Sequence, residues 1–221
     1  MFSLVDFLTS FLWRKALMAA TGFTWMAFVF THMLGNLMVF AGPQTYNRYS
    51  YLLIHNPMLP VAELLLCVFV ILHATTGIIL WHLNFRAKPK KYAVSAKGSK
   101  ASPVAARTMI FSGAFVAAFL VFHLATFKYG QNTIVVYDGQ PMRDLYLLVS
   151  TAFKSNAYVA WYLIALALIG VHLSHGFASA FQSLGVNHPR YTPVIQFLGI
   201  AYAVVVSCGF MALPIYFKFF L

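Results

Sequence analysis

Five apolar runs alternate along this chain with short polar breaks, and each run is long enough to cross a bilayer as a helix. A helix rises about 1.5 Å per residue and the hydrocarbon core is about 30 Å thick, so a span needs about 20 predominantly apolar residues. Residues 17–41, 60–84, 106–128, 156–182 and 193–219 meet that length. In such runs only helices close their own backbone hydrogen bonds without water. The pattern predicts an all-α integral membrane protein of five transmembrane helices, residues 1–221 forming one domain. Gly42-Pro43, Asn56-Pro57, the Lys-rich segment 86–103, a long outer loop 129–155 and Asn187-His188-Pro189 are the breaks. Inside the outer loop, Asp144 is placed to N-cap a short surface helix over DLYLLVSTAF. The first thirteen residues, MFSLVDFLTSFLW, are apolar, but Arg14-Lys15 follows them rather than precedes them and no small-residue cleavage site is evident. They read as an interfacial helix rather than a signal peptide.

Composition agrees with lipid as the solvent: 61% of the residues are hydrophobic and 9% are charged, where soluble proteins carry about 25% charge. The net charge of +11 would suggest nucleic acid as a partner in a soluble chain. Here the basic residues are confined to the breaks, where they act as topology determinants, and no nucleic-acid partner is expected. Arg14, Lys15, Arg86, Lys88, Lys90, Lys91, Lys97, Lys100, Arg107 and Arg190 fall on one side, against Arg48, Lys128, Arg143, Lys154 and Lys218 on the other. By the positive-inside rule the N-terminus is cytoplasmic and the C-terminus outside.

Histidine placement changes the picture most. His55 and His188 lie in loops and His82 at the cytoplasmic end of the second run, while His32, His73, His123 and the pair His172 and His175 lie inside four consecutive runs. His32 and His123 stand past the middle of outward-running helices, roughly 5 to 9 Å into the outer half. His73 and His172 stand one and three residues past the middle of inward-running helices. Two pairs result, one above the other, His32 with His123 and His73 with His172. Facing imidazoles at one depth suit the two axial positions of a haem iron. A closed zinc site would want four ligands at one level. Cys67 and Cys208 form no C-x-x-C pair, which excludes covalent C-x-x-C-H attachment. The repeat H-x-[ST]-x-G at His73–Gly77 and His172–Gly176 favours His172 over His175, because a glycine one turn away leaves room for a flat macrocycle. Gly35 and Asn36 follow His32 in the same spirit. Gly22, Gly113 and Gly170 suit ordinary close packing of helices.

With these residues the chain resembles the membrane cytochrome b subunit of succinate dehydrogenase and fumarate reductase, in the branch with one five-helix anchor and two haems. The carriers are R-K-x-x-M-A-A-T-G (Arg14–Gly22), T-H-M-L-G-N (Thr31–Asn36), L-H-A-T-T-G (Leu72–Gly77), F-H-L (Phe122–Leu124) and H-L-S-H-G (His172–Gly176), in order and across nearly the whole chain. The resemblance implies two haem b groups, the distal one on His32 and His123 and the proximal one on His73 and His172. It also implies electron exchange with membrane quinone, menaquinone being common in this branch, and location in a bacterial cytoplasmic membrane. A flavoprotein carrying FAD and an iron–sulfur subunit would dock on the cytoplasmic face, where the basic segment 86–107 is a candidate contact, and the complex can form a higher oligomer.

Glu63, the one carboxylate within a run, is a candidate for proton delivery to quinone or an interfacial helix residue after Pro60. Tyr46, Asn47 and Arg48 on the same side are candidates for a distal quinone pocket, and Arg14, Lys15, His82 and His175 for haem propionate partners. Two rival readings are the cytochrome b anchor of a nitrate reductase, formate dehydrogenase or hydrogenase, and a transporter with histidine proton relays. The latter would want discontinuous helices or more buried carboxylates.

Overall fold

The computed structural model describes residue 6, residues 10–86 and residues 104–221. Seven α-helices are present among them: α1 (Phe11–Leu37), α2 (Pro43–Ile54), α3 (Leu59–Arg86), α4 (Val104–His123), α5 (Leu145–Lys154), α6 (Asn156–Ser183) and α7 (Thr192–Phe219). Five of them are long and apolar enough to cross a membrane: α1, α3, α4 with its continuation, α6 and α7. The chain is therefore an all-α multi-pass membrane protein, with one small β-hairpin in the loop between α4 and α5.

The first span starts earlier than the apolar run suggests. Ser10 caps α1, its hydroxyl accepting from the Trp13 amide at 3.1 Å, so Phe11 to Trp13 belong to the spanning helix rather than to a separate interfacial one. The rest of that interfacial helix lies outside the described residues, Asp6 excepted. Lys15 is accommodated near the helix end by laying its ammonium over the Phe11 ring, 4.6 Å from the centroid. The basic segment 87–103 also lies outside the described residues.

Four spans form a bundle. Helix α1 packs against α3 and α6, while α4 packs against α6 and more lightly against α3. Thus α1 and α4 occupy one diagonal and α3 and α6 the other. The fifth span, α7, lies outside this square against α6 and α1. Its approach to α6 is close because Gly170 faces Ser207, where a Cβ would come 2.6 Å from the hydroxyl oxygen. Helix α3 is apolar all round and only Thr76 on it is buried, as expected of a helix that offers most of its surface to lipid.

The end of the bundle where α1 finishes and α3 begins, the one expected to face outward from the distribution of basic residues, carries a cap. Pro43 opens α2 at a position where its missing N–H costs nothing. Strands β1 (Ile134–Tyr137) and β2 (Gln140–Arg143) pair antiparallel around Asp138-Gly139. Both turn residues have positive φ, 52° and 78°, the geometry that Asp-Gly supplies in a two-residue hairpin. Asp144 does cap α5, accepting from the Leu147 amide at 2.9 Å. Asn47, fully buried on α2, joins the pieces: its amide nitrogen donates to Asp144 Oδ1 and its carbonyl accepts from the Tyr146 amide, both at 2.9 Å. The Arg143 guanidinium donates to the carbonyls of Lys128, Gly130 and Gln131 and so fixes the turn leaving α4.

Candidate haem-binding site

The two bundle diagonals are bridged by histidines. His32 on α1 faces His123 on α4 with ring centroids 5.9 Å apart. His73 on α3 faces His172 on α6 at 6.5 Å. A metal–imidazole bond of about 2.0–2.1 Å, with about 1.1 Å from nitrogen to ring centroid, puts two trans imidazoles about 6.3 Å apart. Both pairs match that span. Among the described residues no group of three or more His, Cys, Asp or Glu comes together, so a metal held by protein ligands alone is poorly served. A macrocycle that brings its own four nitrogens needs only the two axial imidazoles. A Cβ added to Gly176 would meet no atom within 4 Å, which leaves that face of α6 open beside His172, whereas at its counterpart Gly77 the space is taken by Met18, whose Cε would lie 3.2 Å away.

Each histidine is held from its flank. Thr21 Oγ1 on α1 lies 3.1 Å from His73 Nδ1, and Ser112 Oγ on α4 lies 3.1 Å from His172 Nδ1. The next residue in each case is a glycine against the ring: a Cβ on Gly22 would come 3.3 Å from His73 Cε1, and one on Gly113 3.4 Å from His172 Cε1. These two glycines therefore seat the imidazoles rather than serving helix packing alone. His123 Nδ1 lies 3.1 Å from the Tyr162 hydroxyl. His32 has no hydroxyl partner among the described residues. It stacks on Phe28 with centroids 5.3 Å apart, and the Asn36 amide nitrogen, which donates to the His32 carbonyl at 2.9 Å, lies 3.4 Å from Nε2.

These cross-helix contacts also measure the spacing of the two levels. From Thr21 to His32 along α1, and from Ser112 to His123 along α4, are eleven residues, or about 16 Å. From Tyr162 to His172 along α6 are ten, or about 15 Å. The separation exceeds what span midpoints imply. Helices α1 and α4 share a pattern, [ST]-G-x9-H, at Thr21–His32 and Ser112–His123. That internal repeat was the sequence signal for Thr21 and Ser112.

His175 makes no ring contact and no hydrogen bond among the described residues. His82 is exposed near the inner end of α3, and Arg14 and Lys15 stand about two turns inward of Thr21. The outer candidates do not converge on one cleft. Glu63, near the start of α3, forms an ion pair with Lys128, both partly exposed. Asn47 spends its amide on the cap, and Arg48 points outward to Asp138 at 3.4 Å. Tyr46 is buried, and its hydroxyl donates to Asn36 Oδ1 at 3.0 Å. Burial pushes that phenol well above the usual tyrosine range, with Tyr49 adding to the effect, so it remains a donor. A cleft of about 390 Å³ opens on the outer side, lined by Thr126, Gln131, Thr133, Thr151 and Tyr158 among others. None of Tyr46, Asn47, Arg48 or Glu63 lines it. Two buried indole N–H groups, of Trp25 and Trp161, have no hydrogen-bond partner among the described residues.

The chain matches no family model, no curated protein and no solved structure among those compared.

Proposed function

We propose that this chain is a dihaem membrane cytochrome b, the anchor subunit of a succinate:quinone oxidoreductase or quinol:fumarate reductase, carrying electrons between an iron–sulfur partner and membrane quinone. The observation that carries the dihaem reading is the pair of facing imidazoles on each bundle diagonal, 5.9 and 6.5 Å between centroids. Succinate and fumarate enter through the sequence resemblance. A haem held by each pair would supply one-electron transfer.

In this reading the chain's own residues hold and separate two redox levels. His32 and His123 serve the outer one and His73 and His172 the inner one. The hydroxyls of Thr21, Ser112 and Tyr162 fix ring orientation, since a ligating imidazole needs a partner for its other nitrogen. The N-terminus faces the cytoplasm of a bacterial cell, and the flavoprotein and iron–sulfur subunits dock there. The test is a dithionite-reduced spectrum of the purified chain or complex with a pyridine haemochrome assay. Two b-type haems per chain are expected, and a colourless preparation overturns the proposal.

Quinone chemistry requires protons beside the ring. Glu63 is the candidate donor on the outer side, and its Lys128 partner holds it at the end of the bundle. An exposed ion pair contributes at most about 1 kcal/mol to stability. Glu63→Gln is therefore expected to keep both haems and the thermal stability of the parent while lowering quinone-linked turnover by about tenfold or more. Unchanged turnover assigns Glu63 to the interface alone.

A further inference from the structure

The two inner histidines are held by the same device, repeated on opposite sides of the bundle. In each half, a hydroxyl residue followed by glycine on one helix meets the inner histidine of its neighbour: Thr21-Gly22 of α1 at His73, and Ser112-Gly113 of α4 at His172. Thr21 and Ser112 are both buried, at 2% and 7% exposure, in a region where a polar group without a partner is expensive.

The hydrogen-bond bookkeeping assigns a direction. A hydroxyl has one proton to give and lone pairs to accept with. Thr21 Oγ1 lies 2.8 Å from the Leu17 carbonyl and 3.2 Å from that of Met18, and Ser112 Oγ lies 3.1 Å from the Met109 carbonyl. A carbonyl can only accept, so each hydroxyl proton has an acceptor inside its own helix. With the proton placed there the oxygen accepts toward the imidazole, an arrangement that requires His73 and His172 to carry their proton on Nδ1. A neutral imidazole protonated there has its lone pair on Nε2, the nitrogen remote from the flanking helix and free for a metal.

We propose that Thr21 and Ser112 are positioning residues of the inner site, each holding the Nδ1–H tautomer of the facing histidine so that Nε2 is presented as the ligand. This rests on the bis-histidine haem reading. The outer pair lacks the device in this form: Tyr162 is an aromatic hydroxyl on the adjacent helix, and Asn36 reaches His32 from the same helix. The two levels thus differ in how strongly the protein draws on the ligand N–H. An acceptor on Nδ1–H raises the basicity of the ligating nitrogen and favours ferric iron. Its loss moves the inner haem's midpoint potential upward and leaves the outer one in place.

The experiment is a redox titration of the intact complex in membranes, followed in the haem absorption bands and by low-temperature electron paramagnetic resonance of the ferric state. Thr21→Val and Ser112→Ala are compared with the hydroxyl-keeping Thr21→Ser and Ser112→Thr. Expected are two haems in all four, an upward shift of one potential only in the variants lacking the hydroxyl, and restoration by the conservative ones. If Thr21→Val or Ser112→Ala loses the inner haem while its hydroxyl-keeping counterpart retains it at the parent potential, the assignment also holds. Parent potentials and resonance in both hydroxyl-free variants overturn it, as does equal haem loss in Thr21→Val and Thr21→Ser with Ser112→Ala unaffected. A parent complex without haem is a different failure, that of the bis-histidine reading itself.

Discussion

Replacing His172 with alanine should lower the haem content from two per chain to one, whereas replacing His175 should leave both. The two residues are three apart on α6, which turns the second ring by about 60° and carries it about 4.5 Å further inward. Of the two, His172 is the ring opposite His73, at 6.5 Å between centroids, and the ring that Ser112 engages. Without it His73 would lose the facing imidazole with which it would hold the inner haem. The pyridine haemochrome ratio reads the result, and the surviving haem should keep the potential of the outer site. Should His175→Ala be the variant that loses haem, the inner pair is His73 with His175 and the role given to Ser112 falls with it. His73→Ala should behave as His172→Ala does, because the pair fails from either side.

Asn47→Ala should cost about 2–4 kcal/mol. Asn47 is completely buried, and its one amide group ties together three pieces that are distant in the chain: α2, the Asp144 cap and the first turn of α5. Truncation leaves the Tyr146 N–H without its acceptor and removes one donor from the Asp144 carboxylate. Neither change is repaired by an apolar methyl. Thermal unfolding of the purified protein and protease cleavage between residues 129 and 155 both report it, the latter because the cap shields that loop. The outer haem should respond as well. Tyr46 sits on α2 beside Asn47 and holds Asn36, which in turn reaches His32. A shift confined to the outer haem's spectrum or potential is the signature of that chain of contacts. A stable variant with an unchanged loop would remove Asn47 from the architecture proposed for the cap.

Much of the candidate site was readable from one dimension. Span limits follow from run length, and the depth of a histidine follows from its distance to the middle of its run, so His32 with His123 and His73 with His172 could be paired by counting. The H-x-[ST]-x-G repeat chose His172 within α6, and the structure brings that ring opposite His73. The cap was less legible. Asp138-Gly139 between Val-Val-Tyr and Gln-Pro-Met is a hairpin signal of ordinary strength, and Pro43 is a helix start. Both signals fall in segments that read as breaks, since neither α2 nor the hairpin is long enough to register against the spans. What the sequence does not reveal about Asn47 and Tyr46 is their partners, the cap for one and Asn36 for the other.

The sequence by itself determined that the chain crosses the membrane five times, that four of those helices carry histidines at two depths, and which helices run in the same direction. These are properties of length, order and composition, which lipid enforces locally on every turn of helix. Only the tertiary structure decided that α1 lies diagonal to α4 and α3 to α6, that Thr21 and Ser112 meet the inner histidines, and that α2 and α5 close the outer end. The physical reason is that in lipid both faces of a span are apolar, so hydropathy cannot say which face meets a neighbour. That choice falls to glycine contacts and single hydrogen bonds between residues far apart in the chain, 52 positions for Thr21 and His73 and 60 for Ser112 and His172.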